Sequence, residues 1–347
     1  MNRSDPGLLD AAIVGAGFAG MFMLHRLRGL GLAVRVFERG GDVGGTWYWN
    51  RYPGARCDIE SMEYSYQFSE ALQQEWEWTE RHATQPEILR YANHVAERFD
   101  LRRDIEFDTE VLGASFDEVA QSWRLELDTG HSVSARFCIM ATGCLSSTNV
   151  PDLPGLDGFE GPTYHTGRWP KEPVDFSGLR VGVVGTGSSG IQSIPLIAEQ
   201  AAHLTVFQRT ANYSIPAGNA PLDPDVVKDI KANYAEFRRL NSLQSPAFGS
   251  RNPKGIGGSA LDATEAVRKA QFDFRWQRGG FGFLGGFDDA LSNRQSNELA
   301  AEYVRERIRE TVTDPKVAEL LCPTQVIGCK RICLDTNYFA TFNRPNV

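Results

Sequence analysis

The sequence has no block of basic residues: its 36 lysines and arginines are outnumbered by 44 acids, for a formal charge of −8. A surface without basic runs makes nucleic acid or an anionic membrane an unexpected partner. Cysteine is sparse, and the six present (Cys57, Cys138, Cys144, Cys322, Cys329, Cys333) include no paired CxxC spacing. That argues against a structural metal site, and none is expected. A chain of 347 residues has core enough to fold without disulfide staples, so reduced thiols are expected. Long uninterrupted apolar runs are also missing. The stretch 8–24 contains Asp10 and a glycine cluster, which a membrane helix or signal core would not place there. The opening MNRSDPG is not a basic leader, so the sequence is read as cytoplasmic.

What the chain does hold is glycine, 34 residues, with two clusters in matching contexts. Residues 8–14 read as a short buried strand; GAGFAG follows, then a helical stretch over 21–29 and a strand over 33–38. RVGVVGTGSSG opens a second copy, with a helix over 191–199 and a strand over 203–209. A glycine triplet between strand and helix makes the tight turn, the close approach to a pyrophosphate and the close strand–helix packing of a dinucleotide site. Gly15, Gly17 and Gly20 fit these roles, as do Gly185, Gly187 and Gly190. The phosphate then lies on the positive end of the helix.

The ends of the second strands differ. Glu38 stands where an acid binds a ribose hydroxyl, and the same offset in the second copy carries Gln208, followed by Arg209 and Thr210. Arginine attracts a 2′-phosphate that an acid repels, so the first unit is expected to bind FAD and the second NADPH. Between the two units, 104–128 looks like β-structure, 137–141 like an apolar strand ending in MATG, and VPDLPGL like a linker. From 217 to 314 the pattern is helical and polar; 322–347 returns to loop and strand character.

The stretch GGTWYWNRYPGARCD (44–58) combines glycines, aromatics, two arginines and an acid. In flavin disulfide reductases a redox cysteine follows GGT directly. Here Trp47 takes that place and Cys57 has no partner nearby, so dithiol chemistry is disfavoured. Oxygen is the obvious alternative acceptor of electrons. Trp47 and Tyr48 are candidates to line a flavin ring, whereas Trp49 and Tyr52 read as core packing.

GGTWYWNRYPGARCD resembles the long signature of the Baeyer–Villiger monooxygenases. FEGPTYHTGRWP (159–170) is similar to that family's second fingerprint, FxGxxxHxxxWP, with Phe159, Gly161, His165, Trp169 and Pro170 in the matching places. GCKRICLDTNYFATFNRPNV (328–347) is a third match. The resemblance implies an α/β chain with two Rossmann-like dinucleotide-binding domains and a helical insertion. It sets an N-terminal FAD part at 1–149, a first NADPH part at 150–216, the insertion at 217–320 and a return to the NADPH domain at 321–347. It also implies that the family fold extends beyond this chain, so that apolar surface is left exposed.

The chemistry implied is a monooxygenation with FAD and NADPH as cofactors and a small-molecule ketone and O2 as substrates. NADPH reduces FAD, oxygen gives a C4a-peroxyflavin, and its attack on the ketone leads to an ester or lactone. An oxygen anion in a dry site needs a fixed positive donor. By motif position Arg331 resembles that donor and Asp58 the carboxylate that orients it. The FAD set extends to Phe18, Gly45, Thr46 and Trp47, with Tyr64 and Val111 as weaker candidates. The NADPH set extends to Thr186, Ser188, Ser189 and Gln192, with Lys330 beside Arg209 and Thr210 at the 2′-phosphate and Arg56 on the nicotinamide side. His165 is read as structural, and the Gly- and Phe-rich segment 246–287 as a candidate border of the substrate entrance. Two alternatives stand beside this reading. One is a flavin monooxygenase acting on nitrogen or sulfur, against which Trp169, Pro170 and the CKR arginine speak. The other is a non-catalytic nucleotide-binding remnant.

Overall fold

The computed structural model describes residues 7–145 and 147–347. The chain divides into two units, Met1–Arg51 with Gln85–Glu172, and Tyr52–Thr84 with Pro173–Val347. The first unit therefore does not run without a break: residues 52–84 leave it and fold with the second.

The first unit is built on β1 (Leu9–Val14), α1 (Phe18–Gly29) and β2 (Val34–Phe37), the βαβ arrangement expected from the glycine spacing. Four further strands, β3 (Ile105–Glu106), β4 (Val111–Asp117), β5 (Ser122–Leu127) and β6 (Ser132–Met140), complete a sheet in the order β3-β2-β1-β6-β5-β4. The four strands from β3 to β6 in that order pair in parallel, while β5 and β4 add on as an antiparallel meander. Leu9, Ala12, Phe37, Leu125, Leu127 and Ala135 form one buried cluster beneath the sheet. The unit also holds the single turn α2 (Thr46–Trp49), which packs on α4 (Gln85–Arg98), the helix after α3 (Glu70–Glu75) of the second unit. Helix α4 buries Ile88, Tyr91, Ala92, Val95 and Ala96, the spacing of a one-sided apolar stripe.

The second unit repeats the turn with β7 (Arg180–Val184), α5 (Ser188–Gln200) and β8 (His203–Phe207), β7 and β8 pairing in parallel. A second parallel pair joins β9 (Ser214–Pro216) to β10 (Cys333–Asp335), bringing the 328–347 motif to the start of the helical region. That region holds α6 (Pro224–Ala232), α7 (Tyr234–Ser242), α8 (Glu265–Arg278) and α9 (Arg294–Thr311), followed by α10 (Pro315–Leu321) and, after β10, α11 (Tyr338–Thr341). Asp223, Thr264, Asn293 and Asp314 cap four of these helices through their side chains, which fixes where each begins. Phe272, Phe283 and Tyr303 pack ring on ring between α8 and α9.

Some apolar residues stand exposed: Phe137 and Met140 on β6, and Val184 and Phe207 at the ends of β7 and β8. No helix among the described residues is long and apolar enough to cross a membrane.

Candidate functional site

Both glycine turns are built for close approach. A methyl group at Gly20 would lie 1.9 Å from the Gly15 carbonyl oxygen, and one at Gly190 would lie 2.4 Å from that of Gly185. Gly17 and Gly187 stand at the N-cap positions of α1 and α5, and neither helix has a side chain capping its first turn. Their leading N–H groups are left for an incoming acceptor. A side chain built at Gly187 would meet nothing within 4 Å, so the face of the second turn is bare. These turns fit nucleotide pyrophosphates. Around the second, the Thr186 hydroxyl donates to the Thr210 carbonyl at 3.4 Å, the Ser188 hydroxyl to the Cys333 sulfur at 3.4 Å, and the Ser189 carbonyl accepts from Ser193 at 2.6 Å. Arg209, Thr210 and Lys330 are exposed.

At the end of β2, Glu38 is 6% exposed and its carboxylate is engaged at both oxygens. One accepts from the Ala16 N–H and the other from the Gly40 N–H, each at 2.7 Å. The acid thereby ties the first glycine turn to the strand that follows it. Phe18 sits with its ring 6.1 Å from that of Tyr91, and Val111 packs at the edge of the sheet core.

In the 44–58 stretch, Gly45 opens α2 and the Thr46 carbonyl closes it by accepting from Asn50 at 2.9 Å. Trp47 and Tyr48 are the buried pair, while Trp49 and Tyr52 are half-buried. Tyr48 is held by its hydroxyl, which accepts from Gly41 N–H at 3.1 Å, and by the cations of Arg51 and Lys171 over its ring. Tyr52 combines partial burial with a hydrogen bond, its hydroxyl donating to Gln192 Oε1 at 2.9 Å.

Residues 53 and 54 form the turn that leads into Arg56, Cys57 and Asp58. Gly54 has a φ of +79°, and a methyl there would fall 2.4 Å from the Gln192 carbonyl oxygen, so only glycine brings this segment onto α5. Arg56 pairs with Glu80 at 3.2 Å, a partner the sequence reading did not find. Cys57 is free and buried, and burial pushes its thiol up to about 12. It stays a thiol at neutral pH. Tyr64, on the same excursion, is half-buried, its N–H donating to the Glu60 carbonyl at 3.0 Å.

Asp58 and Arg331, 273 residues apart in sequence, meet. Arg331 Nη2 donates to Asp58 Oδ2 at 2.9 Å. The acid's side chain is 6% exposed and the arginine's 63%. Asp58 Oδ1 accepts from Gln192 Nε2 at 3.1 Å. Burial raises the Asp58 carboxyl above its ordinary range, opposed by Arg331, the Gln192 hydrogen bond and Arg56. The Arg331 guanidinium lies over the Phe281 ring at 5.3 Å, which places part of the 246–287 segment beside the pair. The arrangement presents a fixed cation, tethered on one edge and open on the other. A cleft of about 390 Å³ is lined by Asp58 and Gln192 together with Arg56, Cys57, His82 and Arg344. His165 accepts from Gly167 N–H at 3.0 Å and so caps the turn that follows it, a structural task.

His82 is 1% exposed, its Nε2 lying 3.2 Å from the Ala217 carbonyl. Burial first, and then Arg81, pushes its imidazole down to about 4. The unfolded chain therefore takes up a proton at this residue before the folded one does. Its contribution to stability is complete above the ordinary histidine range and is lost as pH falls from about 6.5 to about 4. Urea denaturation across this range is expected to show a decline that His82→Gln reduces by about 3 kcal/mol. Equal slopes in the two proteins would show that His82 does not carry it.

A sequence profile for "Pyridine nucleotide-disulphide oxidoreductase" matches residues 12–245. A Baeyer-Villiger monooxygenase of Pseudooceanicola batsensis is 44% identical over 97% of this chain and 62% of its own length. Phenazine N-monooxygenase PhzNO1 of Lysobacter antibioticus is 40% identical over 100% of this chain and 64% of its own. Among solved structures, an oxidized steroid monooxygenase bound to NADP superposes with a TM-score of 0.91 at 54% identity, covering 97% of this chain and 64% of that one. The chain thus spans less than two thirds of the length of the relatives it matches.

Proposed function

This chain belongs to the pyridine nucleotide-disulphide oxidoreductase family, with Baeyer–Villiger monooxygenases as its close homologues, and from that premise we propose that it serves an NADPH-consuming monooxygenase. The reaction is insertion of one oxygen atom of O2 beside a ketone carbonyl to give an ester or lactone. FAD, reduced by NADPH, supplies the activation of oxygen when bound. Gly15, Gly17, Gly20 and Glu38 hold it in the N-terminal domain, with Phe18, Gly45, Thr46 and Trp47 beside them. Gly185, Gly187 and Gly190 hold NADPH, and the exposed Arg209, Thr210 and Lys330 receive its 2′-phosphate. The setting is the cytosol, which keeps the free cysteines reduced.

The observation that carries the reading is the Asp58–Arg331 contact at 2.9 Å. Negative charge develops on the substrate oxygen as the carbonyl is attacked. A guanidinium stays protonated at any working pH and offers donors in a fixed fork. Asp58 spends one oxygen on that fork, which sets its direction and leaves the other N–H groups facing outward.

The test is a panel of linear and cyclic ketones given to the purified chain with NADPH and FAD, products being read by gas chromatography. NADPH use that depends on ketone, with ester or lactone formed, is the expected result. Sulfoxides or N-oxides with no ester from any ketone would replace the reading with the heteroatom one. Nucleotide binding without any turnover would replace it with the remnant.

A further inference from the structure

We propose that Gln192 is a positioning residue which holds Asp58 toward Arg331, with Tyr52 completing its bonding, and that its side chain is not a nucleotide ligand. The catalytic meaning of the pair rests on the reading above; the positioning itself does not.

Gln192 lies in the second turn of α5, close behind the glycine motif. Its side-chain amide has two N–H donors and two lone pairs on oxygen. All four are matched. Oε1 accepts from the Tyr52 hydroxyl at 2.9 Å and from the Arg56 N–H at 3.4 Å. Nε2 donates to the Arg56 carbonyl at 3.3 Å and to Asp58 Oδ1 at 3.1 Å. The amide therefore pairs with the backbone of Arg56 as a neighbouring strand would. Its orientation is also forced. A flipped amide would set NH2 against the Arg56 N–H, and oxygen against both the Arg56 carbonyl and the Asp58 carboxylate. Tyr52 takes the remaining lone pair and closes the set. A side chain with every group engaged has nothing left to offer a nucleotide.

The consequence for Asp58 is a division of labour between its oxygens. Oδ1 goes to Gln192 and Oδ2 to Arg331. A carboxyl gripped on one oxygen cannot swing, so the other stays aimed at the guanidinium. Gly54 supports this from the other side, since the 2.4 Å clash of any larger residue with the Gln192 carbonyl would lift the segment off α5. The charged and titratable groups around Asp58 are Arg331 and Arg56, with Tyr52, Cys57 and Cys333 as further neighbours.

Two variants test this. Gln192→Met keeps length and removes the hydrogen bonds. Gln192→Glu keeps shape and sets an oxygen against Asp58. Two measurements apply to the full chain, neither needing a ketone. The first is the titration of Asp58 in protein labelled with 13C-aspartate, its signal identified by Asp58→Asn. Loss of a hydrogen bond to the charged form is expected to move the midpoint up by about one unit in Gln192→Met, and further in Gln192→Glu. The second is NADP+ binding by fluorescence titration, where Kd is expected to stay within about twofold of wild type in Gln192→Met. An Asp58 midpoint unmoved in both variants would overturn the positioning role. An NADP+ Kd raised about tenfold or more in Gln192→Met would overturn the exclusion from nucleotide binding. A chain that oxidises no ketone but shows the Asp58 shift would sink the proposed function and leave this inference standing.

Discussion

Arg331→Ala is expected to reduce flavin with NADPH at close to the wild-type rate and to lose ester formation by a factor of about 10² to 10³. That is the loss seen when one preorganised donor to a developing oxyanion is removed. The two halves of the result separate because Arg331 touches Asp58 and Phe281 and lies on no glycine turn. A folding defect is not the expected explanation of the loss. The arginine side is 63% exposed, so its own loss leaves no cavity in the core. The buried acid left behind relieves its charge by taking a proton more readily, because its strongest stabilising neighbour has gone. Stopped-flow absorbance follows flavin reduction and gas chromatography follows product. Normal ester yield in the variant would remove Arg331 from its role.

The largest effect on stability is expected at Gly20. Its added methyl would lie 1.9 Å from the Gly15 carbonyl oxygen, both being backbone positions that no rotamer change relieves. Helix α1 must move off β1, at a cost of about 3 kcal/mol or more for Gly20→Ala. Gly29→Ala on the same helix is the control. A methyl there meets nothing within 4 Å, and the change is expected to be neutral or to stabilise by up to about 1 kcal/mol. Urea denaturation of the two variants gives the comparison. A Gly20→Ala protein as stable as its Gly29→Ala counterpart would show that the turn is not as close as described.

The same two glycines indicate what the sequence made legible. Spacing between glycines is a local signal, and local signals found both βαβ units to within a few residues. The helical character of 217–314 was legible for the same reason, in polar stretches that carry their own capping residues. Partners far apart in sequence were not. Nothing in periodicity joins Asp58 to Arg331 across 273 positions; motif resemblance alone brought them together. Tyr52 was read as packing because an aromatic is ordinarily core, and its hydroxyl partner lies 140 residues away on α5. Glu80 went unnoticed as the counter-ion of Arg56, and His82 drew no attention at all, since burial is a property of the folded chain. The excursion of 52–84 into the second unit was hidden too. No glycine or proline cluster marks where it returns at Thr84 and Gln85.

Glu38 has a consequence for the order of events in assembly. Its carboxylate spans the Ala16 and Gly40 amides, so the first glycine turn and the end of β2 are tied together as the chain folds. The entropy of ordering that loop is lost when the chain folds and is not charged again at docking. On the proposed reading, a nucleotide docking there would meet a loop whose ordering folding has already provided.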